Sequence, residues 1–242
     1  MIESTACSEP AEGATPKATG LCARCRSAQG RPDGEVHEPV HVFTQYQSAD
    51  LIAAIAYEGA DPADDPLWSE SGAETRTEYG FWSRRSCGMA CLQMILHHRS
   101  EPVPRLQHLM REGTERGLYV PRPNGGVQGM FYAPFLEYVR EIHGLDGAVH
   151  GELSMKQMSE ELNLGRMVLA SVHKEIRRPQ RSSPGRGGHL VLVIGRDSRG
   201  IHFRNPSGHT HEARYGTLPE AVFTSFFGGR GVALDVSASA RP

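Results

Sequence analysis

The pattern of apolar and polar positions divides the chain near residue 37. Residues 1–36 are rich in Ala, Gly, Pro, Ser and charged side chains, and the first aromatic ring in the chain is Phe43. Such a segment has too little apolar surface to offset the entropy lost on ordering. We therefore predict a disordered tail at 1–36, one globular domain at 37–236 and a flexible C-terminal tail at 237–242.

The first half of the predicted domain has mainly helical patterns. Apolar spacing and turn residues predict a short strand at 41–46, a helix at 48–58, a loop at 59–72, a helix that begins at Cys87, and helices at 104–117 and 126–144 with a turn at 121–126 between them. The helix after Cys87 has almost no polar face. A helix that is apolar all round is typical of a position inside the core.

The second half of the domain has short, β-rich apolar runs. These runs predict strands at 166–173, 189–195, 200–205 and 231–236, with helices at 154–164 and 218–227. Helices followed by an antiparallel sheet indicate the α+β class. We expect the helical half, including the Cys87 helix, to pack on this sheet.

Composition and charge indicate which kinds of partner and which cellular location to expect. The chain has 242 residues, of which 38% are hydrophobic and 22% charged, so it is long enough to bury a full core. A formal net charge of -2 gives no basic excess for binding nucleic acid or an anionic membrane. No apolar run reaches the length of a membrane span, and the N-terminus lacks the pattern of a secretory signal. We expect a cytoplasmic protein.

The five cysteines show no spacing typical of a disulfide framework, so reduced thiols are expected. Cys22 and Cys25 form a CARC motif, which could bind zinc together with Cys7 and His37. A single CxxC without a second pair is a weak metal signal, and an unstructured thiol pair is the favoured interpretation. We therefore predict no metal and no cofactor.

Cys87 lies at the first turn of its helix, with Ser86 in the capping position. Helix N-terminal N–H groups and the helix dipole stabilise a thiolate, and Arg84 and Arg85 could add to that effect. Gly88 would let a substrate backbone approach the sulfur. The alternative, that Cys87 is only a small apolar residue of the core, is equally compatible with this stretch taken alone.

Two polar residues on neighbouring predicted strands could complete a catalytic group with Cys87. His189 opens an apolar strand directly after Gly188, where packing does not call for an imidazole, and Asn205 ends the next strand. A hairpin would bring both together, and a thiol nucleophile needs a base that a third group orients. The alternatives are a satisfied core histidine and, for Asn205 with equal weight, a turn residue.

Three blocks of sequence resemble cysteine peptidase family thirty-nine. They are S-C-G-M-A-C-L-Q-M-I-L, G-G-H-L-V-L-V-I-G and F-R-N-P-S-G, within a resemblance that covers roughly 78–236. This papain-like family is typified by peptidases that remove double-glycine leaders from bacteriocin precursors, and the chain is most similar to its stand-alone intracellular branch. The resemblance implies Cys87 as nucleophile, His189 as general base and Asn205 as its orienting group.

One position departs from the family pattern. The family places a glutamine, an oxyanion-hole donor, six residues before the nucleophile, and this chain has Phe81 there. We expect Trp82, Ser83 or the backbone N–H of Cys87 to replace it. Gly88 and Gly188 are predicted to border the bound substrate.

The predicted function is that of an intracellular thiol peptidase or amidohydrolase acting on a peptide or amide through a thioester. The alternatives are an acyltransferase or peptide ligase that uses the same triad, and a catalytically weak peptide-binding protein. The patterns predict no oligomeric state. The arginine-rich segment at 175–188 is interpreted as a solvated loop, and His209 and His211 as a surface turn.

Overall fold

The structure, a computed structural model, describes residues 36–123 and 125–237. The predicted N-terminal tail, except for its last residue, lies outside the described residues, as do Cys7, Cys22 and Cys25 of the possible zinc site. Most of the predicted C-terminal tail also lies outside them. Within the described ranges, no helix has both the length and the apolar character needed to cross a membrane.

The helices occur mostly in the first half of the described chain. The α-helices are α1 (Arg76–Ser83), α2 (Cys87–His98), α3 (Leu106–Glu115), α4 (Tyr132–His143), α5 (Met155–Asn163), α6 (His211–Arg214) and α7 (Glu220–Phe226). Short 3-10 helices cover Ala49–Leu51, Pro62–Asp64, Trp68–Ser71 and Lys174–Arg177, and a π-helix covers Ala54–Glu58.

The strands form a hairpin and one large antiparallel sheet. They are β1 (Tyr119–Pro121), β2 (Val127–Gly129), β3 (Gly147–His150), β4 (Arg166–Val172), β5 (His189–Asp197), β6 (Gly200–Arg204), β7 (Tyr215–Leu218) and β8 (Phe227–Asp235). β1 pairs with β2, and the six-stranded sheet has the order β3-β8-β4-β5-β6-β7. Helices and an antiparallel sheet in one chain confirm the α+β class.

The apolar run in β5 is explained by burial on both faces of the sheet. Successive side chains of a strand point to opposite faces. Leu192 and Ile194 therefore join the core that includes α2, α3 and α4, whereas Val191 and Val193 join the core under α5 and α7. A strand covered on both sides needs no polar alternation.

α2 lies against β5 inside the first of these cores. Every residue from Gly88 to Leu96 is buried, which agrees with the predicted absence of a polar face. Cys91, one turn into the helix, is fully buried, and its Sγ–H donates to the carbonyl of Leu190 at 3.9 Å. The N-terminus of α2 and the start of β5 therefore lie side by side.

Several predicted elements differ from the structure. The predicted strand at 41–46 is wrong, because this segment belongs to neither sheet. The predicted helix at 126–144 begins later, at Tyr132, since Val127–Gly129 pairs with β1. α1, β3 and β7 were not predicted.

Residues 37–45, which precede the first helical turn, are hydrogen-bonded to residues in and just after β5 and β6. His37 N–H donates to the carbonyl of Ile194 at 2.9 Å, and Gln45 N–H donates to the carbonyl of Pro206 at 2.8 Å. Between them, the Val40 carbonyl accepts from Arg204 Nε at 2.9 Å. This segment therefore supports the chain on both sides of Asn205.

Candidate active site

Cys87 is the first residue of α2, as predicted, and the residue as a whole is only partly buried. Ser86 stands in the capping position but does not cap: its hydroxyl donates to the Ser83 carbonyl at 3.2 Å and is 3.4 Å from the Gln45 carbonyl. The first N–H groups of α2 thus have no side-chain cap. A helix end in this state can bind negative charge.

The pKa of the Cys87 thiol is raised, which corrects the expectation of a stabilised thiolate. Burial is the main cause, and hydrogen bonds from the backbone N–H groups of Leu190, Gly88 and Cys87 itself offset it only in part. Loss of water disfavours the charged form of a thiol more than these donors favour it. The resting protein therefore holds Cys87 as a neutral thiol at neutral pH.

His189 and Asn205 meet at the ends of β5 and β6, as the hairpin argument predicted. His189 Nε2 lies 2.9 Å from Asn205 Oδ1. The backbone N–H of Ser207 donates to the same oxygen at 3.0 Å, which fixes the orientation of the amide, because a flipped amide would turn its NH2 group toward this N–H donor. Ser207 Oγ also lies 3.0 Å from Nε2 and 3.2 Å from Oδ1.

This contact determines the proton position on the imidazole. Asn205 Oδ1 can only accept, so His189 Nε2 carries the hydrogen and Nδ1 keeps its lone pair. The imidazole is 7% exposed, and its pKa is lowered to about 4, chiefly by burial; Arg177 and His173 add to the lowering, whereas the Asn205 contact opposes it. His189 is therefore a neutral base at neutral pH.

Cys87 and His189 lie in the wall of one cavity of about 370 Å³. Gly88 also lines it, but a Cβ there would lie 2.7 Å from Met130 Sδ and 3.0 Å from a Leu190 methyl, so close packing of α2 already requires the glycine. Gly188 has φ +95°, and its position leaves open space for a substrate. The roles predicted for both glycines at the substrate remain predictions.

The cavity wall carries positive charge. Arg84, Arg85 and Arg230 line it, and no acidic side chain belongs to the described part of the wall. Ser171 and Arg230 also line this wall together with Tyr132, whose pKa is raised by burial and lowered in part by these two residues. A substrate carbonyl or carboxylate would thus find donors on the side of the cavity formed by β4 and β8.

Trp82 and Ser83, the predicted oxyanion-hole candidates, lie at the end of α1. Ser83 is fully buried, and its hydroxyl lies 3.4 Å from the Gly80 carbonyl. The Trp82 ring packs edge-on against Tyr119 with 6.0 Å between centroids. Neither residue belongs to the described cavity wall.

The arginine-rich segment is a loop from 178 to 188, as predicted, but its first part is less solvated than predicted. Arg177 is buried, and the guanidinium of Arg178 lies 3.7 Å from the centroid of the Tyr57 ring. No arginine of this segment lines the Cys87 cavity. His211 begins α6 and stacks on Tyr215; within the described ranges, no three potential metal ligands come together.

Ser207, Tyr119 and Arg230 were not predicted from the sequence. Ser207 could have been found from the sequence. In an N-P-S turn, the Asn side chain typically accepts a hydrogen bond from the backbone N–H two residues later. Tyr119 and Arg230 come from β1 and β8. No motif marks them, and only tertiary packing brings them to Cys87.

The fold and the site together define an α+β protein that holds a thiol and an amide-bound imidazole in one cavity. No protein-family model matches the chain, and no curated protein matches it. The chain is similar to the crystal structure of a candidate C39-like peptidase from Bacillus anthracis, with 12% sequence identity and a TM-score of 0.42. That alignment covers 62% of this chain and 88% of the other.

Proposed function

We propose that the protein is a cysteine peptidase-like hydrolase of papain-like fold that cleaves peptide or amide bonds. Cys87 is the nucleophile, His189 the general base and Asn205 the group that orients the base. The substrate is a peptide or amide that enters the cavity of about 370 Å³.

One observation carries this proposal. The 2.9 Å contact between His189 Nε2 and Asn205 Oδ1 leaves Nδ1 as the basic nitrogen, and the imidazole shares a cavity with the Cys87 thiol. A buried histidine whose purpose was only structural would have no need of a thiol in the same cavity. The alternative of a plain core cysteine does not explain why Cys87, unlike the fully buried Cys91, lines this cavity.

Both reacting groups are neutral before substrate binds, which sets the order of events. As Cys87 Sγ attacks the substrate carbonyl, its proton passes to His189 Nδ1 and the carbonyl electron pair moves to oxygen. When the C–N bond breaks, the imidazolium returns the proton to the leaving amine. Water, activated by the same Nδ1, then hydrolyses the thioester.

The burial of His189 supports general-base catalysis rather than a preformed ion pair. A base with a pKa of about 4 stays unprotonated through the physiological range. An imidazolium with this pKa is also a strong acid toward the leaving amine. The weak basicity makes deprotonation of the thiol the demanding step, so we expect slow turnover.

The test compares Cys87→Ala with Cys91→Ala in the full-length protein. p-Nitrophenyl acetate serves as an acylating probe, peptide mapping by mass spectrometry locates the acetyl group, and a peptide mixture reports cleavage. Cys87→Ala should lose acylation and cleavage. Cys91→Ala removes a fully buried sulfur one turn away and should cost only about 1 kcal/mol of stability.

Three outcomes separate the proposal from its alternatives. Cleavage that persists in Cys87→Ala would refute it. Acylation without cleavage, followed by transfer to an added amine such as glycinamide, would indicate an acyltransferase. Absence of both reactions in the folded wild-type protein would favour a peptide-binding protein.

A further inference from the structure

The hydroxyl of Tyr119 is a buried donor with no partner. Tyr119 is 2% exposed, and its Oη has no hydrogen-bond partner within the described part of the chain. Buried hydroxyls in folded proteins are nearly always hydrogen-bonded, so an orphan of this kind calls for an explanation. It is the one orphan of this type that belongs to a described residue of the Cys87 cavity wall.

Tyr119 and the nucleophile Cys87 lie on the wall of the same cavity. The pKa of Tyr119 is raised well above its usual range, first by burial and then by the charges that Cys87 and Cys91 would carry. The phenol therefore keeps its proton at every pH at which the enzyme would work. It is available as a hydrogen-bond donor and not as a base.

The ring is held rigidly by the β1–β2 hairpin. Tyr119 pairs with Gly129, where a Cβ would lie 3.1 Å from the ring and 2.4 Å from the Leu118 carbonyl. On another side, a Cβ at Gly113 would lie 3.5 Å from the ring, and the Trp82 ring packs edge-on. This packing limits the positions that the hydroxyl can take.

The chain needs such a donor because the residues near the family's oxyanion-hole position cannot supply one to the cavity. Phe81 has no hydrogen-bonding side chain, and neither Trp82 nor Ser83 belongs to the described cavity wall. The N–H groups at the start of α2 have no side-chain cap and would supply one side of the hole in the proposed reaction. A second donor would have to come from elsewhere on the wall.

We propose that the Tyr119 hydroxyl donates to the oxyanion that forms when Cys87 attacks a substrate carbonyl. This inference rests on the proposed function. The carbonyl electron pair moves to oxygen as the S–C bond forms, and Tyr119 Oη–H hydrogen-bonds that oxygen while keeping its own proton. The pair returns when the C–N bond breaks, so the hydroxyl has a partner only during the reaction.

The test is Tyr119→Phe in the full-length protein, with two probes of Cys87. Acylation by p-nitrophenyl acetate passes through an oxyanion, whereas alkylation by iodoacetamide displaces iodide at a saturated carbon and forms none. Loss of one oxyanion donor typically slows turnover about a hundredfold to a thousandfold. We expect acylation to slow by about that factor while alkylation at the same pH stays unchanged.

Stability and two control variants complete the experiment. Tyr119→Phe should keep or raise the Tm, because it removes a polar atom that has no partner. Trp82→Phe and Ser83→Ala, which delete the two other candidate donors, should leave acylation much less affected. Equal slowing of both probes, an unchanged acylation rate, or a marked fall in Tm would each overturn the inference.

These outcomes are distinct from failure of the proposed function. If the probe acetylates Cys87→Ala as fast as wild type, the nucleophile is wrong and the proposed function fails. If Cys87→Ala is inert and Tyr119→Phe is fully active, the nucleophile stands and only the role of Tyr119 is refuted.

Discussion

Acid should destabilise this protein in a way that depends on His189. The imidazole is buried, and its pKa is lowered from 6.5 to about 4. The unfolded chain therefore binds a proton in this window that the folded protein does not bind. By linkage, the stability contributed by the neutral imidazole is complete above about pH 6.5 and is lost as pH falls to about 4.

The size of the effect follows from the shift. Each pKa unit corresponds to about 1.4 kcal/mol, so a displacement from 6.5 to about 4 predicts a loss of about 3 kcal/mol in the free energy of unfolding. Asp65 and Glu175, whose pKa values are lowered, also lose stabilising interactions in acid. Their contribution is common to wild type and any variant at position 189, so a comparison isolates the imidazole.

The assay is urea denaturation of wild type and His189→Gln between pH 7 and pH 4. Glutamine keeps an N–H donor for Asn205 but does not titrate. Wild type should lose about 3 kcal/mol more than the variant over this range. Cys87→Ala, which keeps the imidazole, should follow wild type; parallel curves for wild type and His189→Gln would refute the assignment of a buried neutral base.

Two further predictions concern Asn205 and the N-terminal segment. Asn205→Ala should retain more activity than His189→Ala, because a misoriented base still exists. Asn205→Asp should raise the pKa of His189 and move the acid limb of the pH profile of kcat/KM upward by about one unit or more. An acid limb that does not move would contradict the contact between the side chain at position 205 and His189 Nε2. Deletion of residues 1–35 should leave the Tm unchanged. Deletion of residues 1–45 also removes Val40 and Val42, which are 2% and 8% exposed, and should lower the free energy of unfolding, measured by denaturation, by at least about 3 kcal/mol. Equal stability of the two truncated proteins would show that this segment does not support the sheet.

The parts of the site that sequence predicted are those encoded locally. The apolar stretch after Cys87 and the run after His189 each contain their own periodicity and boundary residues, so the helix start and the strand start were found. The closeness of His189 and Asn205 followed from one hairpin. Each of these inferences needed only neighbouring residues.

The parts that sequence missed depend on distant packing. β1 and β2 are three residues each, too short for alternation to be visible, so neither their pairing nor the position of Tyr119 could be predicted. The pKa of Cys87 was predicted in the wrong direction because a helix start favours the thiolate, whereas burial of the thiol is a tertiary effect. The same holds for Arg230, which reaches the cavity from the last strand.

The order of the sheet has a consequence for the chain during synthesis. Cys87 leaves the ribosome about a hundred residues before His189, and β8, the last strand, lies between β3 and β4 in the sheet. β4 therefore has an unpaired edge until nearly all of the described chain is available. A nascent chain carries the thiol but no base held beside it. If the proposed function is right, cleavage would therefore begin only when folding is complete. An unfinished chain would not cleave the neighbouring chains being made on the same messenger RNA.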